Sequence, residues 1–137
     1  MLALSVLRPW GVAIMRHGKD IENRTWGPHT LKPGDRFAIH NAIGIDKAGV
    51  GRVLEILAGN RLAFGLDKDE LLGPPGMILG TVRFCGIIRG ATRLWFDGPV
   101  GWILADPRPL REPIACRGQQ RLWKIPDGIA EMVDASL

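Results

Sequence analysis

Tyrosine is missing from this chain altogether, and only two cysteines, Cys85 and Cys116, occur in its 137 residues. Two thiols build no disulfide framework, so a reducing, cytoplasmic setting is expected. No apolar run approaches the roughly 18–20 residues that cross a bilayer. The opening MLALSVLRPW has neither the charged start nor the long apolar stretch of a secretory signal, and no membrane partner is expected. His17, His29 and His40 lie without a further His or Cys at metal-ligand spacing, which argues against a zinc site. Also lacking are a G-x-x-x-x-G-K-[ST] loop, a G-x-S-x-G elbow and a G-x-G-x-x-G that opens a helix; Gly49-Val50-Gly51 is too short for a dinucleotide fingerprint. Neither a metal nor a cofactor is expected.

What remains is a chain able to bury a core, 46% hydrophobic with a mean hydropathy of +0.06, of a length that suits a single domain over residues 1–137. Eighteen Gly and ten Pro favour short elements joined by turns over a helix bundle. The net charge of +4 is unevenly spread. Residues 1–36 carry a net +3 and residues 83–124 a net +5, around a middle at −1, and the last thirteen residues hold three acids and no base. Folded onto one side, the two basic blocks make a surface suited to phosphates; on separate sides they are ordinary solvated charge.

Hydrophobic patterning predicts strands over residues 2–7, 36–40, 77–89 and 100–105, with a closing strand pair or bulged strand over 114–125. A first helix begins at Pro9, whose missing N–H is harmless there, buries Trp10, Ala13 and Ile14, and ends by Gly18. A second runs from an Asp46 N-cap to Gly59 with Val50, Val53, Leu54 and Leu57 as its apolar stripe. Residues 66–76 read as an acidic turn and loop, DPRPLREP as stiff extended chain, and 127–135 as a weak helix packing through Ile129, Met132 and Val133. Five or six short strands with two or three helices point to a mainly β, α+β fold, a small mixed β-barrel flanked by helices.

The richest polar segment is Gly18-Lys19-Asp20-Ile21-Glu22-Asn23-Arg24, where strand alternation puts Glu22, Arg24 and Trp26 on one side and Ile21, Asn23 and Thr25 on the other. Such a trio can hold an anion with Arg24 and orient Lys19 as a general base. It also reads as a turn with a surface ion pair contributing under about 1 kcal/mol. Around Trp95-Phe96-Asp97-Gly98-Pro99-Val100-Gly101-Trp102, large rings beside a tight turn can stack a base or anchor the core. Arg108, Arg111, Arg117 and Arg121, interleaved with Gln119, Gln120 and Trp123, suit phosphates and base edges or form a solvated rim. Cys116 beside Arg117 makes a poor case for a nucleophile, and His40-Asn41 at a strand end suits a ligand or a satisfied structural pair.

Taken in order, these segments resemble the ASCH-domain family of the PUA-like superfamily. LSVLRPWGVAIMRHGKDIENRTW is similar to its L-S-[IL]-x-x-P-W opening and G-x-K-x-x-E-x-R signature, RFAIHNA to its L-x-I-H-A strand, and MILGTVRFCGI to its I-[IV]-G-x-V strand. WFDGPVGWILADPRPLREPIACRGQQRLWKIP resembles the closing region of small bacterial and phage members. The resemblance implies a PUA-like barrel with a basic cleft and a partner that is RNA, a nucleoside or a nucleotide. Lys19 matches the family Lys and Arg24 the family Arg; together with the ring and charge readings above, the candidate ligand-binding residues are Trp10, Lys19, Glu22, Arg24, Trp26, His40, Trp95 and Arg117. Some similar small proteins hydrolyse N-acylated cytidines with a Lys, a Thr and a distant Glu, and others are ribonucleases; on that alternative Lys19 and Glu22 are the catalytic pair. Here Glu22 stands where those amidohydrolases place Thr, and the strand 77–89 contains Arg83 but no Glu. Both departures count against amide hydrolysis.

Overall fold

The computed structural model describes residues 1–59 and 66–136. In chain order the elements are β1 (Leu2–Arg8), α1 (Trp10–Arg16), β2 (Ile21–Arg24), β3 (Arg36–Ile45), α2 (Lys47–Gly59), α3 (Lys68–Leu72), β4 (Met77–Ile88), β5 (Val100–Ala115), β6 (Leu122–Lys124) and α4 (Asp127–Ala135). The strands form one mixed sheet in the order β2-β5-β4-β3-β1-β6, in which β1 and β3 run parallel and every other pair antiparallel. The mainly β, α+β class expected from the sequence is what the chain adopts. The end strands β2 and β6 share no ladder, and side chains join the two ends of the sheet instead: Arg24 from β2 donates to the Ser5 carbonyl of β1 at 3.0 Å. Among the described residues no helix is long and apolar enough to cross a membrane.

Alternation along the strands divides the interior. Leu4, Val6, Phe37, Ile39, Leu79, Val82, Phe84, Trp102 and Leu104 face α1, while Ala3, Ala38, Ile78 and Leu110 face the opposite way, toward Trp123, Ile125 and Val133 of the C-terminal segment. A third cluster, Ala13, Ile21, Val53, Ile56, Leu57, Leu71 and Trp95, lies under α2 and α3. Edge-to-face contacts from Trp26, Phe37 and Phe84 at 5.0–6.1 Å surround the fully buried Trp102, whose indole N–H donates to the Trp26 carbonyl.

Several expectations change. Residues 66–76 contain a helix, α3, because the Asp67 carboxylate accepts from the Glu70 N–H at 2.9 Å and caps it. Leu54 is exposed, and Ile56 takes its place in the buried stripe of α2; likewise Met132 points to solvent while Val133 carries the packing of α4. Only Leu122–Lys124 forms a closing strand, and residues 116–121 are a loop. The proline-rich segment is extended, as expected, and continues the strand expected over 100–105 as the second half of β5. Among the described residues β2 covers β5 only from Val100 to Ile103; beyond it, Pro107, Pro109 and Pro113 sit on a strand whose other edge no strand pairs, a place that tolerates proline and where proline discourages further pairing.

The register between β4 and β5 jumps from Ile78↔Ile114 to Gly80↔Pro109, and Gly80 marks the closest approach. A Cβ there would collide with the Arg108 carbonyl and come within 2.8 Å of the Pro109 Cα. Gly80→Ala is therefore expected to destabilise the fold by about 1–3 kcal/mol through overpacking against backbone that has nowhere to go. Denaturant unfolding is the measurement, and an unchanged midpoint would show that the bulge is free to relax.

Candidate functional site

The turn after α1 positions the Lys19–Arg24 segment. Gly18 holds φ +75, a conformation that glycine adopts without strain, and this turns the chain from α1 into β2. Alternation in β2 then gives the segment two roles. On one side Asn23 accepts from the Asp97 and Gly98 N–H groups and donates to the Trp95 carbonyl, fixing the 95–98 turn. On the other, Glu22 sits between two cations: its Oε1 lies 3.2 Å from Lys19 Nζ, and its Oε2 lies 3.1 Å from Arg24 Nη2.

Lys19, Glu22 and Arg24 are thus brought together, but not into one open cavity. Lys19 is 3% exposed and Glu22 5%. The Lys19 ammonium is bound to Glu22 and to the Ile21 carbonyl, and it lies 5.2 Å from the Trp10 ring centroid. Lys19 lines a pocket of about 70 Å³ with Gly18, Asp20, Ala105 and Pro107. Arg24 alone of the three lines a cavity of about 710 Å³, within the range of small-molecule sites.

That cavity lies where the ends of β1 and β3 meet the 116–121 loop. Arg24, Arg117 and Arg121 form its charged wall together with Gln119 and Gln120, while Leu7, Ala42 and Ile43 form an apolar one; no carboxylate lines it. Arg121 stands at φ +59, uncommon for a residue with a Cβ, and stacks its guanidinium 4.1 Å from the Trp26 ring centroid. Trp26 thereby acts on the cavity through Arg121.

His40 lines the cavity but is 3% exposed. Its Nε2 donates to the Cys116 carbonyl at 2.7 Å, which leaves Nδ1 to accept from the Ser5 hydroxyl at 3.0 Å; Ser5 Oγ in turn accepts from the Trp123 indole N–H at 3.1 Å. In the neutral ring every proton of this relay has one place, and burial, which lowers the pKa of His40, favours that form. Gly118 passes directly over it: a Cβ there would lie 2.5 Å from His40 Cε1 and 2.9 Å from Ser5 Oγ. The loop therefore needs glycine at 118 to close on β1 and β3.

The remaining expected site residues lie elsewhere. Trp95 is buried in the cluster under α2 and α3, and Trp10 donates its indole N–H to Asp46 at 3.0 Å beside the start of α2. Cys116, by contrast, lines the cavity; its thiol is buried, and burial raises its pKa. Ser5, Leu7, Ile43 and Gly118 were not anticipated; the one polar residue within the otherwise apolar LALSVL strand was the available signal for Ser5.

Two outcomes follow. Removing the Glu22 charge strands a buried ammonium, whereas removing Lys19 leaves Glu22 paired with Arg24; Glu22→Gln should cost on the order of 3–5 kcal/mol and Lys19→Met clearly less. Equal losses in urea unfolding would reject this division of roles. Because the folded chain resists protonating His40 while the unfolded chain takes the proton near the ordinary value of 6.5, stability is full above that pH and falls as pH drops toward the lower folded value. His17, lowered by burial and by Arg16, adds to the same trend. His40→Gln should lower Tm at pH 7.5 yet shrink the loss between pH 7.5 and 5.5, and an undiminished loss would exclude His40 as its source.

No protein-family model matches this chain, and no curated relative matches its sequence. Solved structures do match. The ASCH protein of Zymomonas mobilis superposes with a TM-score of 0.58 at 14% identity, over 98% of this chain and 93% of that one. Its serine-to-alanine variant gives 0.58 at 15% identity over 98% and 94%, and its tyrosine-to-phenylalanine variant 0.57 at 15% over 98% and 96%. Across nearly its whole length, the chain has the fold of the ASCH domain, the fold that its motifs led us to expect.

Proposed function

We propose that this chain is a PUA-like ASCH module that binds RNA or a nucleotide in the cavity between β1, β3 and the 116–121 loop. One observation carries the reading: a cavity of about 710 Å³ has three arginines, two glutamines and an apolar wall, with no acid among its lining residues. Arg24 is already paired with Glu22, so the reading rests on Arg117 and Arg121, whose guanidinium groups take a phosphate as a natural partner. The face of a base suits Leu7, Ala42 and Ile43, and the amides of Gln119 and Gln120 suit its edge. Arg117 and Arg121 meet the phosphate, and Trp26 keeps Arg121 extended by stacking beneath it.

In this reading Lys19 and Glu22 are positioning residues. Glu22 holds the Arg24 guanidinium at the cavity wall and Lys19 balances the buried carboxylate. The hydrolase alternative needs Lys19 as a base beside the bound ligand, and an ammonium tied to Glu22 and the Ile21 carbonyl outside the cavity lends it no support.

Titration of a fluorescent single-stranded RNA tetramer at two salt concentrations tests the proposal. Binding should weaken with salt by about 0.7 in log K per log unit for each phosphate engaged. Arg117→Ala combined with Arg121→Ala should weaken it about tenfold or more, on the order of 1.4 kcal/mol. Binding indifferent to both salt and this pair of substitutions would overturn the reading.

A further inference from the structure

A second basic site lies on β3, β4 and β5, away from the cavity lining. Arg36 pairs in register with Arg83, and Arg108 with Thr81 on the neighbouring strand. All three guanidinium groups converge on one carboxylate oxygen: Asp106 Oδ2 lies 3.0 Å from Arg36 Nη1, 3.3 Å from Arg83 Nη2 and 3.0 Å from Arg108 Nη2.

The three arginines are not equivalent. Arg36 is largely buried and saturated, donating also to the Thr81 hydroxyl, the Thr81 carbonyl and the Asp106 carbonyl. It needs no further partner, and it already satisfies Asp106. Arg83 and Arg108 each give one nitrogen to the same oxygen, with side chains 44% and 51% exposed. One carboxylate therefore faces three cations, leaving two positive charges uncompensated at a spot where the chain has brought them together. Burial, and next the charge of Arg108, lower the pKa of Arg36 against the opposing pull of Asp106. Asp106 holds this arrangement from a backbone at φ +49, a left-handed conformation that persists in a non-glycine residue when its surroundings enforce it.

We propose that Arg83 and Arg108, held side by side by Asp106 and braced by Arg36, form a second anion site that takes the phosphodiester backbone of a nucleic-acid strand. The outward N–H groups of two tethered guanidinium groups meet a phosphate without the ordering cost of two free side chains. The site reads no base; it engages a strand too long for the cavity alone. Its existence does not depend on the cavity's ligand.

The test uses the full chain, with Arg83→Ala combined with Arg108→Ala as the variant and Arg117→Ala combined with Arg121→Ala as the comparison. Both pairs are exposed, and Arg36 is left to hold Asp106. Inorganic pyrophosphate should shift the side-chain Nε–H resonances of Arg83 and Arg108 saturably in a nitrogen-15 NMR titration. A 16-nucleotide single-stranded RNA should lose about fivefold or more in affinity in the Arg83/Arg108 variant, with a salt slope shallower by about 0.7 for the one lost phosphate contact, while the RNA tetramer is unaffected. Unmoved Nε–H resonances would overturn the site. Pyrophosphate binding without any loss on the long RNA would overturn the strand assignment and identify a site for free phosphate instead. A tetramer indifferent to the Arg117/Arg121 substitutions would overturn the cavity reading alone.

Discussion

A carboxylate in the interior, 5% exposed and shared between an ammonium and a guanidinium, sets the constraint on which this molecule depends. Glu22 is tolerable there only because each of its oxygens faces a cation. The strand that carries it must therefore start near Lys19 and end at Arg24, and Arg24 must reach the Ser5 carbonyl of β1. That bond links one end of the sheet, β2, to β1 near the other end, which the ladder leaves unjoined. The same guanidinium then forms part of the cavity wall. Sheet closure and the charge of the site are consequences of one ion-paired chain of three side chains.

A similar economy holds at the cavity floor. Ser5, His40 and Trp123 come from three different strands and satisfy one another in a single relay that ends on the Cys116 carbonyl. Since burial favours the neutral imidazole, the floor contributes shape more than charge. The positive character of the cavity comes from arginines alone. The 116–121 loop carries two of them and can approach because residue 118 has no side chain.

The signature segment was legible as a grouping but not as a cavity. Alternation placed Glu22 and Arg24 on one side, and the structure joins them; what alternation cannot tell is whether that side faces solvent or another strand. Lys19 is buried because β5 and α1 close over it, contacts made by residues far along the chain. Trp95 shows the same limit: a ring beside a tight turn suits a base or a core equally well, and Ala13, Ile21 and Leu71 around it decide for the core. Asp67 as a helix cap needed only its spacing to Glu70, a local signal that the acidic character of the segment obscured.

By itself the sequence determined the strands and helices with strong periodicity, the order of the motifs, the grouping of Lys19 with Glu22 and Arg24, and the concentration of charge in two blocks. These depend on neighbours within a few residues, where backbone geometry dictates which side chains share a face. Tertiary structure alone decided which arginines face a cavity, which converge on Asp106, and that the proline-rich segment is a strand with a free edge. Those outcomes rest on register between distant strands, where a bulge of one or three residues redirects every side chain beyond it.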